Sequence, residues 1–173
     1  VRITGEMRQW HKVTLTLDGP FAAERDNDPN PFTDLAMTVR FTHESGTPAY
    51  TVPGYFAADG DAANSAADRG TAWRAHLSPD RPGSWRYRMS FVRGRHAALD
   101  PEADAAALPR YDGVSGSFDI APTDKSGRDL RGRGRLEYVG ERYLRLAGSG
   151  EYFLKAGADA PETLLAYRDF DGT

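Results

Sequence analysis

Gly83-Ser84-Trp85-Arg86-Tyr87-Arg88-Met89-Ser90-Phe91 is the clearest strand pattern in this sequence. Large apolar residues occupy every second position from Trp85 onward, and arginine or serine stands between them. A period of two places alternate side chains on opposite faces of a β-strand. The stretch therefore predicts a half-buried strand with an apolar inner row and a cationic outer row.

A second alternating run, Trp73-Arg74-Ala75-His76-Leu77, precedes this strand. The residues between the two runs, Pro79-Asp80-Arg81-Pro82-Gly83, are rich in turn formers. We predict that the two runs form a hairpin with Trp73 and Trp85 in its buried layer.

Further short runs with strand character recur on both sides of this pair. They lie at residues 11–17, 35–42, 50–56, 114–120, 136–139, 143–146 and 151–155. Asp18-Gly19-Pro20 predicts the end of the first run, and Pro53 indicates an edge strand or a bulge because proline donates no ladder hydrogen bond. Residues 57–69, which are small and acidic, predict an exposed loop.

Helix signals are rare. Asp100-Pro101 before residues 103–108 predicts a short capped helix, and a second start signal begins at Asp159. Many short strands separated by turn clusters about every 8–12 residues predict an all-β fold. The expected architecture is an immunoglobulin-like antiparallel β-sandwich with a short C-terminal extension, and a small closed barrel is the alternative.

Composition excludes several classes of function. The 173-residue chain contains no cysteine, so it has no disulfide, no thiolate metal site and no cysteine nucleophile. A net charge of -3 gives no overall electrostatic case for nucleic acid. No apolar run approaches the ~20 residues that span a bilayer, and none has the pattern of a signal peptide.

A glycine- and arginine-rich run suggests where the chain divides. We predict a sandwich over residues 1–122, a linker over 123–135 and a separate C-terminal segment over 136–173. The linker arginines could hold a phosphate, but a surface linker is the simpler interpretation because no aromatic residues alternate with them. These arginines are Arg128, Arg131, Arg133 and Arg135.

Motifs for metal or cofactor chemistry are weak. The four histidines are scattered, no G-x-S-x-G elbow occurs, and Gly148-Ser149-Gly150 lacks the third glycine of a dinucleotide loop. Asp59 and Asp61 could offer oxygen ligands to calcium, but the spacing of an EF-hand is missing and a solvated acidic loop fits better. The sequence predicts no cofactor and no metal.

Aromatic residues are the remaining candidates for binding, because sugars stack their apolar faces on aromatic rings. Trp73, Trp85 and Phe41 lie on apolar faces and are expected in the core. Five others lie at strand ends or in turns, where they are candidates for carbohydrate binding, with packing at the core or rim as the alternative. These are Trp10, Tyr50, Tyr55, Phe56 and Tyr111.

The order of several short motifs resembles a known family. The motifs are Trp10 before Val13-Thr14-Leu15-Thr16, Asn30-Pro31-Phe32, Val39-Arg40-Phe41-Thr42, Val52-Pro53-Gly54-Tyr55-Phe56, Thr71-Ala72-Trp73-Arg74 and Pro82-Gly83-Ser84-Trp85-Arg86-Tyr87. Over about residues 6–121 the chain resembles the domain-of-unknown-function family found at the N-terminus of bacterial glycoside hydrolase-like proteins. The resemblance implies an immunoglobulin-like sandwich packed against a catalytic barrel.

The C-terminal segment resembles the lead-in and first elements of such a barrel. A complete (β/α)₈ barrel takes ~250 residues, so residues 136–173 hold only its start. Glycosidases also need two carboxylates ~5–9.5 Å apart across the scissile bond. The resemblance therefore implies that this chain is catalytically silent within an exported glycoside hydrolase, extracellular or periplasmic. Asp159 and Glu162 could line the parent's cleft, although helix capping by Asp159 is the plainer interpretation.

The function expected from these observations is a non-catalytic accessory module, either structural or carbohydrate-binding. Its expected partners are the catalytic barrel of the same parent chain and a polysaccharide. The alternative is an interaction module that binds a protein or matrix surface.

Overall fold

The computed structural model describes residues 1–157, which form two main antiparallel sheets and a small third sheet. The first sheet has the order β1 (Arg2–Thr4), β2 (Val13–Ala23), β6 (Arg69–Leu77), β5 (Tyr55–Phe56). The second has the order β4 (Ala49–Pro53), β3 (Leu35–His43), β7 (Gly83–Arg93), with β8 (Ala106–Ala107) and β9 (Ser115–Ile120) both beside β7. The third consists of β10 (Leu136–Glu137), β11 (Leu144–Leu146) and β12 (Tyr152–Phe153), and residues 134–154, which contain it, are called the meander below. The predicted all-β sandwich is confirmed.

The core follows from the alternation in the strands. On β3 and β7 every second residue from Leu35 to His43 and from Trp85 to Phe91 is buried. The register aligns these rows, with Phe41 opposite Tyr87 and His43 opposite Trp85. On β2 the residues Val13 and Leu15 are fully buried, as the pattern predicts. Period-two burial thus gives each sheet one apolar face, and the two faces form one core.

Two tryptophans anchor the core. The Trp73 ring on β6 lies 4.9 Å from the ring of Phe91 on β7, so it joins the two sheets. Trp85 is fully buried. Each indole N–H donates to a main-chain oxygen at 3.0 Å, that of Pro20 for Trp73 and that of Arg81 for Trp85. Both residues are core residues, as predicted, and their polar atoms are satisfied.

The predicted hairpin between these tryptophans is wrong. Strand β6 pairs with β2 and β5, whereas β7 pairs with β3, β8 and β9. Residues 78–82 therefore carry the chain from one sheet to the other, and the two buried rows face each other across the core. A short turn-rich connection fits a hairpin or a crossing between sheets equally well, so local pattern does not distinguish them.

Two further expectations are corrected. Strand β2 does not end at Asp18 but continues to Ala23 through a register shift between Asp18 and Ala22. Residues 103–108 form no helix; β8 lies there, and the N–H of Leu108 donates to the oxygen of Phe91 at 2.9 Å. The segment lacks an apolar face, so pairing with the edge of β7 replaces helix packing.

The position of Pro53 is as predicted. It ends β4, which is the edge strand of the second sheet. Gly54 then carries the chain to β5 in the first sheet, and a Cβ there would lie 2.3 Å from Cε of Met37. A side chain at this position would require the buried end of Met37 to move aside.

Residues 57–69 are mostly exposed, as predicted, although Ala58 reaches the core at 2% exposure. A single helical turn, α1 (Ala62–Ser65), interrupts them, and a 3-10 turn lies at Leu130–Gly132. Within residues 1–157 no helix is long and apolar enough to cross a membrane.

Candidate functional site

Two of the predicted aromatic residues meet at one end of the sandwich. The guanidinium of Arg135 lies over both rings, 5.7 Å from the centroid of Trp10 and 5.2 Å from that of Tyr50. Its Nη2 donates to the Tyr50 hydroxyl at 3.2 Å, and its Nη1 donates to the Ser78 carbonyl at 3.4 Å. We call Trp10, Tyr50, Asp80 and Arg135 the junction, because they join the sandwich to the meander.

Local structure fixes both rings of the junction. Trp10 adopts a φ of 68°, and its main-chain N–H donates to the carbonyl of Pro79 at 2.7 Å. Such a left-handed conformation is uncommon outside glycine and marks a constrained turn. Tyr50 lies on β4, where its ring stacks at 6.1 Å and 14° on the buried ring of Trp85. The core tryptophan of β7 therefore supports the surface at which Arg135 binds.

Asp80 supplies the negative charge of the junction. Its Oδ2 accepts the Tyr50 hydroxyl and lies 3.8 Å from Nη2 of Arg135. Burial, together with the hydrogen bond to Asp80, raises the pKa of Tyr50. The phenol therefore stays protonated at neutral pH and donates to the carboxylate. Glu137 on β10 adds a second carboxylate 3.0 Å from Arg135.

The meander lies close against Trp10. A Cβ at Gly148 would be 3.1 Å from Nε1 of Trp10 and 2.7 Å from the carbonyl oxygen of Arg133. Gly134 has a φ of 101°, and a Cβ there would be 2.2 Å from the nitrogen of Gly148. Gly148 thus lets the backbone of the meander approach Trp10, and Gly134 lets two parts of the meander pack closely on each other.

The meander exposes an unusual amount of apolar surface for so short a segment. Seven of its large apolar residues are between 38% and 77% exposed. They are Leu136, Tyr138, Val139, Tyr143, Leu144, Tyr152 and Leu154. Such a concentration of exposed apolar residues is typical of a surface that another element covers.

The other candidate aromatics do not join Trp10 and Tyr50. Tyr55 is exposed on the first sheet, where its hydroxyl and Nε2 of His76 are 2.9 Å apart. Tyr111 is half-buried, with its ring 5.9 Å from that of Phe91. Phe56 is only 8% exposed and packs on Trp73, so the expectation of an accessible ring fails there, because β5 turns this side chain into the core. The five residues therefore form no common platform for a sugar.

The acidic loop residues stabilise their own turn. Asp59 accepts a hydrogen bond from the Ser65 hydroxyl at 2.7 Å, and Asp61 accepts one from the Asn64 amide at 2.8 Å. The hydrogen bond from Ser65 also lowers the pKa of Asp59. Both carboxylates thus have partners around α1. Asp159 and Glu162 lie outside the described residues.

A group that sequence reasoning missed contains Glu6, His11 and Asp124, whose ligand atoms lie within 4.8 Å of one another. His11 is 2% exposed, and its Nδ1 lies 2.8 Å from the carbonyl of Gln9. Lys125 already bridges the two carboxylates, with Nζ 3.2 Å from Glu6 and 3.0 Å from Asp124. Because the group holds its own cation, it is better explained as an ion-pair network than as a metal site.

Arg135 is placed among the linker arginines by sequence reasoning, but not in the junction. Its neighbours in the linker also pair with carboxylates, Arg131 with Glu6 at 2.9 Å and Arg133 with Glu151 at 3.3 Å. The predicted flexible linker is therefore tied to the folded chain. No local signal reveals this, since Arg135 and its partners Tyr50 and Asp80 are far apart in sequence.

Comparison with solved structures places this geometry in a wider context. The chain is similar to the crystal structure of a candidate glycoside hydrolase from Bacteroides vulgatus ATCC 8482, with 21% sequence identity and a TM-score of 0.51. The likeness covers 84% of this chain but only 20% of that protein, so the chain spans about a fifth of its length. At this identity the likeness concerns the fold. None of the curated proteins matches the chain.

A family model matches residues 6–92, which are half of the chain and contain β2 to most of β7. The matched residues include Trp10, Tyr50 and Asp80 of the junction and the two core tryptophans. Most of the sandwich strands and three of the four junction residues thus fall within the matched residues. The chain belongs to the family DUF5060, a domain of unknown function.

Proposed function

We propose that this chain is the non-catalytic accessory β-sandwich of an exported glycoside hydrolase-like protein and that it braces the catalytic domain of the same parent chain. The observation that carries the proposal is the junction. Arg135 fixes the start of the meander against Trp10, Tyr50 and Asp80, so the direction in which the chain leaves the sandwich is set by contacts rather than by a flexible linker.

The exposed apolar residues of the meander support a following domain. Seven large apolar side chains in so short a segment are suited to burial against another element. The Bacteroides protein that the chain is similar to in fold is about five times as long as the part that the likeness covers, which leaves room in that protein for such a domain. Strands β10 to β12 pair antiparallel, unlike the parallel strands of a (β/α)₈ barrel, so a role as lead-in to the barrel suits them.

The carboxylates of Glu6 and Asp124, which the fold brings together, do not fit the acid of a glycosidase. A glycosidase acid needs a pKa raised above its usual range. In Glu6 and Asp124 the hydrogen bond from Lys125 lowers the pKa instead. The proposal predicts no turnover of aryl glycosides by the 173-residue chain, and turnover that copurifies with the protein would contradict it.

The junction can be tested by substitution. Arg135→Met keeps much of the side-chain volume but removes the charge and the hydrogen bonds. If the contacts of Arg135 stabilise the junction by about 1–2 kcal/mol, their loss raises the population in which the meander is detached from the sandwich five- to thirtyfold. We expect limited proteolysis with a protease of broad specificity to cut residues 123–135 faster by about that factor. Arg128→Met, at an exposed linker residue without a hydrogen bond or ion pair in the described part of the chain, is the matched control.

Equal cleavage of both variants and wild type would show that Arg135 does not hold the segment.

The accessory role itself is tested by the reading frame downstream of Thr173. A catalytic domain in frame is the expected result, whereas a stop codon there would contradict the accessory role.

The alternative, a module that docks on a separate protein or matrix surface, draws on the same exposed meander. It predicts that the isolated chain binds that partner through the meander. The bracing proposal predicts instead that the meander becomes protected when the rest of the parent chain is present, which hydrogen exchange can distinguish.

A further inference from the structure

An arginine-lined groove runs over the outer face of the second sheet, on the side away from the core. Arg40 projects from β3, and Arg86 and Arg88 project from β7; all three are exposed. The groove has a volume of about 480 Å³ and is also lined by hydroxyl-bearing residues. These are Thr42, Ser115 and Ser117.

The charges in the groove are not balanced by the protein. Arg40 lies directly opposite Arg88 in the β3–β7 ladder, an arrangement in which like charges repel and destabilise a sheet. Within residues 1–157 none of the three guanidinium groups has a hydrogen bond or a carboxylate within 4.0 Å. Asp119 is on neighbouring β9 but lies opposite Ser84 and forms no ion pair with them. An anion bound between the arginines would offset this repulsion.

The sheet fixes the positions of the three arginines. Adjacent strands are about 4.8 Å apart and alternate residues along a strand about 6.6 Å apart. Side chains rooted at these points can engage more than one anionic group at a time. A guanidinium fork matches the planar carboxylate and the tetrahedral sulfate or phosphate better than an ammonium does.

The form of the groove indicates a polymer rather than a small enclosed ligand. It is open along the sheet, and its polar lining offers hydroxyls beside cations. Tyr87, which also lines it, is only 8% exposed, so no aromatic face is offered for stacking. Single-stranded nucleic acid would require such stacking faces.

We propose that this groove binds an acidic polysaccharide, through carboxylate or sulfate groups spaced along the chain. The choice of a polysaccharide rests on the proposed function. The choice of an acidic one rests on Arg40, Arg86 and Arg88 and is independent of the junction.

Affinity electrophoresis of the 173-residue protein in native gels tests the proposal. Polygalacturonate supplies carboxylates, chondroitin sulfate supplies sulfates as well, and dextran is the neutral control. We expect retardation by one or both acidic polymers and none by dextran. The double substitution R40Q/R88Q is expected to weaken binding about tenfold or more, because two charge-assisted contacts are lost.

The matched control is R25Q/R95Q, which removes two positive charges from exposed arginines that do not line the groove. It should keep affinity within about twofold, since distant exposed charges are screened. Circular dichroism and thermal unfolding check that each variant is folded; relief of the Arg40–Arg88 repulsion should leave the first variant at least as stable as wild type.

Several results would overturn the inference. They are equal weakening by the two double variants, equal binding of dextran, no retardation by either acidic polymer, or binding of single-stranded DNA with the same dependence on Arg40 and Arg88. Each of these outcomes leaves the bracing role unaffected, because that role is tested separately through Arg135.

Discussion

Trp85 shows how one residue can serve both the core and the surface site. Its ring is fully buried, its N–H is bonded to Arg81, and its face supports Tyr50 of the junction. Arg135 then packs on Tyr50 from the meander. The alternating strand therefore acts beyond the core, since its first aromatic residue positions a contact on the molecule's surface.

We expect Trp85→Ala to lower the free energy of unfolding by about 3–5 kcal/mol, as large-to-small substitutions in cores do. Urea denaturation measures this directly. Trp10→Ala, at a half-buried residue of the junction, is the comparison and should cost clearly less. Similar losses for the two variants would mean that Trp85 is not the core anchor.

Asp34 links two loops beside the end of the β3–β7 ladder that is far from Trp85. Its carboxylate accepts the N–H groups of His96 and Asn30, both at 3.0 Å, and the Thr33 hydroxyl at 2.9 Å. The bond from His96, followed by that from Asn30, lowers the pKa of Asp34 to about 2 from 3.8. Because this pKa is lower in the folded state, the carboxylate stabilises the protein at pH values above the pKa of the unfolded chain. The stabilisation is lost as the pH falls towards the pKa of the folded state.

We therefore expect the wild type to lose stability more steeply than Asp34→Asn between about pH 4 and pH 2. Urea unfolding at a series of pH values measures the two slopes. Asp119→Asn, at an exposed carboxylate with no hydrogen bond or ion pair within residues 1–157, should keep the wild-type slope. Parallel slopes for wild type and Asp34→Asn would refute the role of Asp34.

At the scale of the element, the strands were predictable and their partners were not. Period-two burial is a local property, so β3 and β7 could be located from their alternating residues alone. Whether β6 and β7 belong to the same sheet depends on the path of residues 78–82. Turn-forming residues there fit a hairpin within one sheet or a connection from one sheet to the other. The failed helix at 103–108 has the same origin, because the free edge of β7 is a tertiary feature.

The candidate site was predictable in part for a related reason. Trp10 and Tyr50 could be identified by residue type and position at strand ends. Arg135 could not, since its importance arises only when the meander folds back on the sandwich.

The close contact between Gly134 and Gly148 predicts an effect confined to the meander. Gly134→Ala would place a Cβ 2.2 Å from the nitrogen of Gly148 at a φ of 101°, so the backbone of the meander at residue 134 or residue 148 must shift. Hydrogen exchange should then be faster in β10 and β11 while β2, β3 and β7 keep their protection. Gly140→Ala has a similar positive φ of 75° but nothing within 4 Å, so it controls for backbone strain alone. Uniform exchange changes throughout the chain would contradict this prediction.

At the scale of the whole molecule, the core is complete without the meander. Every buried residue of the main cluster lies between Val13 and Ile120. Ala121 closes the sandwich through its hydrogen bonds to Met7 and Gln9. Residues 1–122 therefore contain the whole sandwich core, and residues 123–157 add contacts at its surface.

We predict that a fragment of residues 1–122 folds and unfolds in one cooperative transition, at a lower temperature than the 173-residue chain. The lower temperature follows from loss of Arg135 and of the ion pairs that Lys125 and Arg131 make with Glu6. Calorimetry and near-ultraviolet circular dichroism measure both properties. A fragment without near-ultraviolet signal would show that the sandwich depends on the C-terminal segment.

The three tryptophans differ in exposure, so their intrinsic fluorescence can report on the position of the meander. Trp73 and Trp85 are shielded in the core, whereas Trp10 is half-buried beneath a guanidinium group. If the meander moved away from the sandwich, water and a quencher such as acrylamide would reach the indole of Trp10. Trp73 and Trp85 would remain protected from the quencher. A change in quenching without a change in secondary structure would therefore report, in unlabelled protein, whether a neighbouring domain holds the meander in place.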